Sequence, residues 1–324
     1  MTTLARTFRV GSFVCHALDG GRVWLDGGAM FGIVPKPLWE RRIPADEKNR
    51  IPLAMRCLLI EHDDGLILVD TGIGNKQDGK FRTIYNIENA GTTGPTRLED
   101  AVREAGHAPD EITWVINTHL HFDHCGGNAV SEGSKEQGAG SKEQGGSAQG
   151  ARRKVHGGVA GPSPVRLAFP NATYVVQRRE LEFATHTNER TAGSYLRENI
   201  EPVTAAGRWQ LVEGATDFLP GISLLPTPGH VPYHQSVVLR SGGETACFVA
   251  DLIPTGSHVP LPWIMGYDLE PLVTLESKRS FLARAEAEAW LLILEHEAGE
   301  GLGRVTRDGK GYRFDPLDTV SKDG

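Results

Sequence analysis

The sequence predicts an α/β (α+β) protein, and three observations carry the prediction. Short apolar runs bounded by turn residues alternate with stretches of helical period, two strand-turn-strand units of one design lie far apart in the chain, and each delivers an aspartate at the close of an apolar run. The first unit is "MRCLLIEHDDGLILVDTGIG" (55–74), in which "DDG" supplies the turn and the second run ends at Asp70. A helix over 96–106 ("TRLEDAVREAG") and the apolar run "ITWVI" (112–116) follow. Two further helices are read over 177–185 and 194–207. The second unit, "HQSVVLRSGGETACFVADL" (234–252), turns at "SGG" and ends its second run at Asp251. A helix over 270–290 then gives way to "LLILEHE", read as a strand ending at His296. The paired hairpins point to an internally duplicated scaffold with polar groups converging on one rim.

With 324 residues, 39% of them hydrophobic, the chain can bury a sizeable core, and it is read as one domain over 1–324. Lys+Arg 34 against Asp+Glu 41 gives a net charge of −7 with no dense basic stripe, so nucleic acid is not expected as a partner. "MTTLARTFRVGSFVCHAL" has neither a basic start followed by a long apolar stretch nor a small-residue cleavage site, and no run is long enough to span a bilayer. A cytoplasmic location without a membrane partner is therefore expected. Cys15, Cys57, Cys125 and Cys247 form no CxxC pair, which fits reduced thiols. Residues 131–164 are rich in Gly, Ser, Lys, Glu and Gln, and "GSKEQG" occurs twice; such a segment cannot offset its chain entropy by burial and is read as a flexible insertion. A neutral insertion is favoured over a lid, because lengthening a loop is thermodynamically cheap.

The chemistry concentrates in "THLHFDHCGG" (118–127), directly after "ITWVI". The alternation of His119 and His121 can point both rings one way, Asp123 and His124 follow, and "GG" lets the backbone turn tightly. Imidazoles with a carboxylate suit zinc or a similar first-row divalent ion. More ligands are needed, and three stand at the close of apolar runs: His230 in "TPGH", Asp251 in "ACFVAD" and His296 in "LLILEH". Any one alone has an ordinary explanation as a solvated or hydrogen-bonded residue. The set points to metal. Cys125 is read as a packing neighbour of the motif, and His62, His107 and His156 as structural or solvated. His234, four residues after His230, is assigned a backbone contact ahead of a role in supporting the metal ligands.

"LVDTG", "THLHFDH", "TPGH", "VAD" and "LEH", in that order, resemble the metallo-β-lactamase superfamily. The resemblance implies an αββα sandwich of two similar halves with a two-metal centre on one edge. It implies that His119, His121 and His230 hold one metal and Asp123, His124 and His296 the other, with Asp251 bridging. Asp70 would orient a ligand imidazole through its second ring nitrogen. Two divalent cations, zinc first and Mn, Co or Fe as alternatives, would then provide a hydroxide at neutral pH for attack on a lactone or ester carbonyl, with Asp123 as a proton carrier.

Within the superfamily the chain is most similar to quorum-quenching lactonases of the YtnP type, through "HFDHCGG", "TPGHVPYHQS" and "DLIPTGSHVPLPWIMGYDLEPLVTLESK". Acyl-homoserine lactonases of the better-known type place a tyrosine three residues after the bridging aspartate, where this chain has Pro254. His258, in the same loop, is the candidate replacement donor, against the alternative of a plain surface histidine. Met30, Phe31, Trp263, Met265 and Tyr267 are the candidate substrate pocket, with core packing or a homodimer contact as their other explanation. The runner-up activity is that of a phosphotriesterase similar to methyl parathion hydrolase, and the non-enzymatic alternative is a metal-binding or sensing protein. Asp123 and Asp251 favour catalysis, since a structural zinc needs four ligands and no open position.

Overall fold

The computed structural model describes residues 3–132 and 164–317. Its strands in chain order are β1 (Ala5–Val10), β2 (Phe13–Asp26), β3 (Arg50–His62), β4 (Gly65–Val69), β5 (Ile112–Ile116), β6 (Ala129–Ser131), β7 (Val165–Leu167) and β8 (Thr173–Gln177). They continue with β9 (Trp209–Val212), β10 (Thr216–Leu219), β11 (Ile222–Pro226), β12 (Gln235–Ser241), β13 (Glu244–Phe248), β14 (Leu291–Ile293), β15 (Leu302–Asp308) and β16 (Gly311–Pro316). One seven-stranded sheet runs β1-β2-β3-β4-β5-β8-β9, the other β10 to β16 in sequence order, and β6 pairs with β7 in a two-stranded ribbon.

The expected duplication is visible in the pairing. In each half an antiparallel hairpin, β3–β4 or β12–β13, is followed by a parallel partner, β5 or β14. Parallel strands need a crossover, supplied in the first half by a connection carrying the helix Arg97–Glu104 and in the second by the helix Pro271–Ala287. The inner faces meet in one core, where Leu58, Ile60, Ile67 and Val69 pack with Val237, Leu239, Phe248 and Ile293. Alternation sends the neighbouring residues outward: Cys57, Leu59 and Leu68 pack under Leu98, Ala101 and Val102 of the first helix, and Val238, Cys247 and Leu292 under Phe281, Leu282 and Ala285 of the second. Two sheets between two helical layers make the αββα sandwich.

Two sequence expectations shift locally. The strand over "LLILEH" stops at Ile293; Leu294 N–H still donates to the Gly301 carbonyl at the end of the pairing with β15, and His296 lies in the loop beyond. Asp251 likewise sits past β13, in a single 3-10 turn, Ala250–Leu252. Asp70 and Ala250 follow equivalent strands in the two halves, and both adopt left-handed backbone with φ of 54° and 51°. Gly126 and Gly127 lie in the tight 3-10 turn Gly126–Asn128, as their sequence suggested. They admit close backbone approach, since a Cβ on Gly127 would stand 2.0 Å from the Thr71 carbonyl oxygen and one on Gly126 2.3 Å from that of Ile73. Residues 133–163 of the expected insertion lie outside the described residues. Its ends close on each other, with Ser131 paired to Val165 and Glu132 N–H donating to the Pro164 carbonyl.

Candidate metal centre

The "THLHFDH" segment leaves the end of β5 and is pinned where the two halves meet. Thr118 N–H and Oγ1 donate to Asp70 at 2.8 and 2.6 Å, and Gln235 N–H donates to the Thr118 carbonyl. Phe122–Cys125 then forms one helical turn, which places Asp123 and His124 beside the preceding histidines. His230 arrives from the loop between β11 and β12, and His296 from the loop after β14.

All seven expected ligands come together, in two groups. One donor atom from each of His119, His121, His230 and Asp251 falls within 4.8 Å of the others, and the same holds for Asp123, His124 and His296. Asp251 spans the groups: Oδ2 lies 3.0 Å from His230 Nε2, 3.4 Å from His124 Nε2 and 3.8 Å from His119 Nε2, while Oδ1 lies 3.1 Å from His296 Nε2. Asp123 reaches His124 Nε2 and His296 Nε2 at 3.9 Å each. Cys125 belongs to neither group. Its buried thiol donates to the Leu120 carbonyl, and burial raises its pKa, so it is held as a neutral thiol.

The outer nitrogens of these rings are held by other groups. His124 Nδ1 is 3.1 Å from Asp70 and 3.0 Å from Glu295, His230 Nδ1 is 2.9 Å from Asp268, and His296 Nδ1 is 2.7 Å from the Ala54 carbonyl. His234 Nε2 accepts the Asp251 N–H at 3.2 Å, so the backbone contact expected of it also fixes the aspartate between the two groups. Sequence reasoning missed Glu295 and Asp268. Glu295 directly precedes a chosen ligand, yet its role depends on a loop path that periodicity does not reveal.

The inner atoms fit cations. His119 Nε2 and Asp251 Oδ1 are buried without a hydrogen-bond partner. His230 Nε2 stands 3.0 Å from His121 Nδ1, and His296 Nε2 3.2 Å from His124 Nε2. Two facing imidazole nitrogens repel unless a proton or a metal lies near them. Burial opposes charge on His230 and His296, but Asp251 outweighs it and lifts them to about 10 and about 9. Burial opposes charge on His124 as well, and Glu295, Asp251 and Asp123 raise it. His119 and His121 are lowered, by burial first and then by neighbouring rings. Imidazoles and carboxylates in this number match zinc and similar divalent ions.

His121, Asp123, His230, Asp251 and His296 form one wall of an open cavity of about 210 Å³. Of the five expected pocket residues, Met30, Met265 and Tyr267 line it. Phe31 does not. It is fully buried between Trp39 and His258, with ring centroids 5.2 and 4.5 Å away, and Trp263 meets its edge behind the cavity. His258 also departs from expectation: Nδ1 pairs with Thr255 Oγ1 at 2.8 Å and Nε2 donates to the Met30 carbonyl at 2.9 Å, which leaves the ring no free nitrogen for a substrate. Burial lowers its pKa to about 3, so it is neutral and supports the Met30 loop. Tyr85 and Phe122 were not foreseen as lining residues. Phe122 was readable from its place between His121 and Asp123; Tyr85, from the helix Gly79–Tyr85, carries no local signal.

Behind the wall, Glu180 accepts from Leu120 N–H at 3.0 Å and from Tyr195 O–H at 2.9 Å, and Tyr195 packs against the His121 ring at 4.7 Å. Burial lifts the Glu180 carboxyl to about 7. A carboxyl raised in the folded state stabilises the fold most below its unfolded pKa and loses that contribution as pH rises through the folded value. Glu180→Gln should therefore gain stability relative to the parent between pH 5 and pH 8, on the order of 2 kcal/mol. Urea unfolding of both proteins at the two pH values checks it; a constant difference would contradict the raised pKa.

The family model described as Metallo-beta-lactamase superfamily matches residues 52–133 and 154–296. An N-acyl homoserine lactonase of Bacillus thuringiensis is 30% identical over 195 residues, 58% of this chain and 59% of that relative. The chain thus spans about three fifths of the length of the Bacillus relatives it matches. Among solved structures, a probable metal-dependent hydrolase from Staphylococcus aureus aligns with a TM-score of 0.78 at 25% identity, covering 97% of this chain and all of that one. AidC, a dizinc quorum-quenching lactonase, aligns with a TM-score of 0.74 over 99% of this chain and all of that one; at 18% identity this likeness speaks for the fold.

Proposed function

Because the chain belongs to the metallo-β-lactamase superfamily, we propose that it is a dinuclear-metal hydrolase that opens lactones or cleaves carboxylic esters, with N-acyl homoserine lactones as its first candidate substrates. The observation that carries this reading is Asp251, whose carboxylate stands between the two histidine groups in the wall of a cavity, with Oδ2 3.0 Å from His230 and Oδ1 3.1 Å from His296. His119, His121 and His230 would hold one ion, Asp123, His124 and His296 the other, and Asp251 both; zinc suits the set best. Such a pair supplies Lewis acidity toward a carbonyl oxygen and makes water acidic enough to ionise near neutral pH.

The chain's own groups do the rest. Leu25, Met30, Leu53, Phe122, Met265 and Leu269 give the cavity an apolar surface that takes an acyl chain and excludes water from it. Asp123, in the same wall, carries a proton to the leaving oxygen. Tyr85 and Tyr267 also line the cavity, and neither phenol has a hydrogen-bond partner among the described residues, so both are donors for substrate oxygens in place of the tyrosine absent at Pro254. Replacing each by Phe should lower kcat/KM about 10-fold or more for at least one of the two, while metal content stays unchanged. Steady-state kinetics with metal analysis checks this.

No helix among the described residues is long and apolar enough to cross a membrane, and a cytoplasmic location is part of the proposal. The homodimer contact is assigned to the "MFGIVPKPLW" segment, where Ile33 is 91% and Leu38 50% exposed. The reading as a whole is tested by a panel of acyl-homoserine lactones, simple lactones, aryl esters, phosphotriesters and β-lactams, run with zinc, manganese or cobalt. Preference for lactones supports it. Preference for phosphotriesters moves the chain to the runner-up activity, and metal uptake without turnover makes it a binding protein.

A further inference from the structure

A second cluster of metal-ligating side chains lies away from the centre. His16 on β2, Glu61 on β3 and His107, in the connection after the helix Arg97–Glu104, each offer one donor atom within 4.8 Å of the others. Glu61 Oε1 is 3.0 Å from His16 Nε2 and 3.4 Å from His107 Nε2. Tetrahedral zinc with bonds of about 2.0–2.1 Å sets neighbouring ligand atoms about 3.3 Å apart. Both imidazole nitrogens therefore already stand from the carboxylate oxygen near the spacing an ion would impose, and all three donors lie within 4.8 Å of one another.

The arrangement is built into the sheet. His16 pairs across strands with Leu59, whose side chain joins the outer core under the helix, and Glu61 lies two residues farther along the same face. His16 Nδ1 is occupied by Thr7 Oγ1, its partner on β1, at 2.9 Å, which fixes the ring and aims Nε2 at Glu61. Side-chain exposures of 5% for His16, 22% for His107 and 41% for Glu61 make the cluster closed on one side and open to water on the other. It stands apart from the first centre: Ala54, which holds His296, and Glu61 lie seven residues apart along β3, or about 23 Å.

We propose that His16, Glu61 and His107 form a further metal site, binding a zinc-class divalent cation through two imidazoles and one carboxylate with a fourth position left to water. The ion fastens β2 and β3 to the connection that runs on into β5. The donor set carries this inference, which does not depend on the lactone reading.

The test uses the full chain stripped of metal, with His107→Ala and Glu61→Gln beside it, titrated with zinc against a chromophoric chelator and followed by thermal unfolding. Both variants should bind one zinc equivalent fewer than the parent, lose the last step of the zinc-induced rise in Tm, and retain the parent's activity on the panel. Cobalt(II) in the parent, minus the variant, should give the visible bands of a four-coordinate N/O site. Equal zinc stoichiometry in parent and variants would overturn the proposal and leave a hydrogen-bonded His-Glu-His triad. If His107→Ala does not fold, Glu61→Gln, which keeps the side-chain volume, decides alone.

Discussion

Asp251→Asn should cost the protein at least one metal equivalent and lower kcat/KM by about a thousandfold or more. The substitution keeps the side chain's shape, so its effect isolates charge and donor chemistry. The carboxylate places Oδ2 within 3.0–3.8 Å of three imidazole nitrogens and Oδ1 at 3.1 Å from a fourth. An amide offers a single acceptor oxygen and turns an N–H₂ toward one histidine group. It also removes a negative charge that would offset two cations at a buried position. Metal analysis after gel filtration and kinetics on the preferred substrate measure the two losses; a variant with full metal and activity would remove Asp251 from the bridging place.

The second large effect is expected at Asp70, which touches no inner donor atom. Asp70→Ala strips the acceptor from Thr118 N–H, Thr118 Oγ1 and His124 Nδ1 in a fully buried place. Loss of a buried charge that satisfies three donors should destabilise the fold by about 3–5 kcal/mol and weaken metal binding about 10–100-fold. Glu295 Oε2 stands 3.0 Å from the same His124 nitrogen without a hydrogen bond to it, and can take over as acceptor, so metal binding should weaken and not vanish. Adding Glu295→Gln should then cost more than it does alone, which denaturant unfolding and zinc competition of the single and double variants will read.

Much of this centre was legible because its donors are either contiguous, as in "THLHFDH", or stand just past apolar runs, as His230, Asp251 and His296 do. Period-two burial fixes where such runs lie, and the groups that follow them gather on one rim of the sandwich. Loop side chains were not legible in this way. His258 was chosen for its nearness in sequence to Asp251, yet its direction is set by Thr255 and the Met30 carbonyl. Phe31 was chosen as apolar surface, and its stacking between Trp39 and His258 turned it inward. Tyr85 reaches the cavity from a helix 34 residues before His119, a distance over which no pattern in the chain links the two.

The β6–β7 ribbon has a consequence for protein engineering. Because Ser131 and Val165 are direct partners across two antiparallel strands, the chain leaves and re-enters the sandwich one strand spacing apart, about 5 Å. Whatever joins those ends can be shortened, exchanged or replaced by a reporter domain without asking either sheet to move. The family match is interrupted between 133 and 154, within that same stretch. Position 132/164 is thus a natural splice point, where relatives can differ in length while the strands that carry the histidines keep their register.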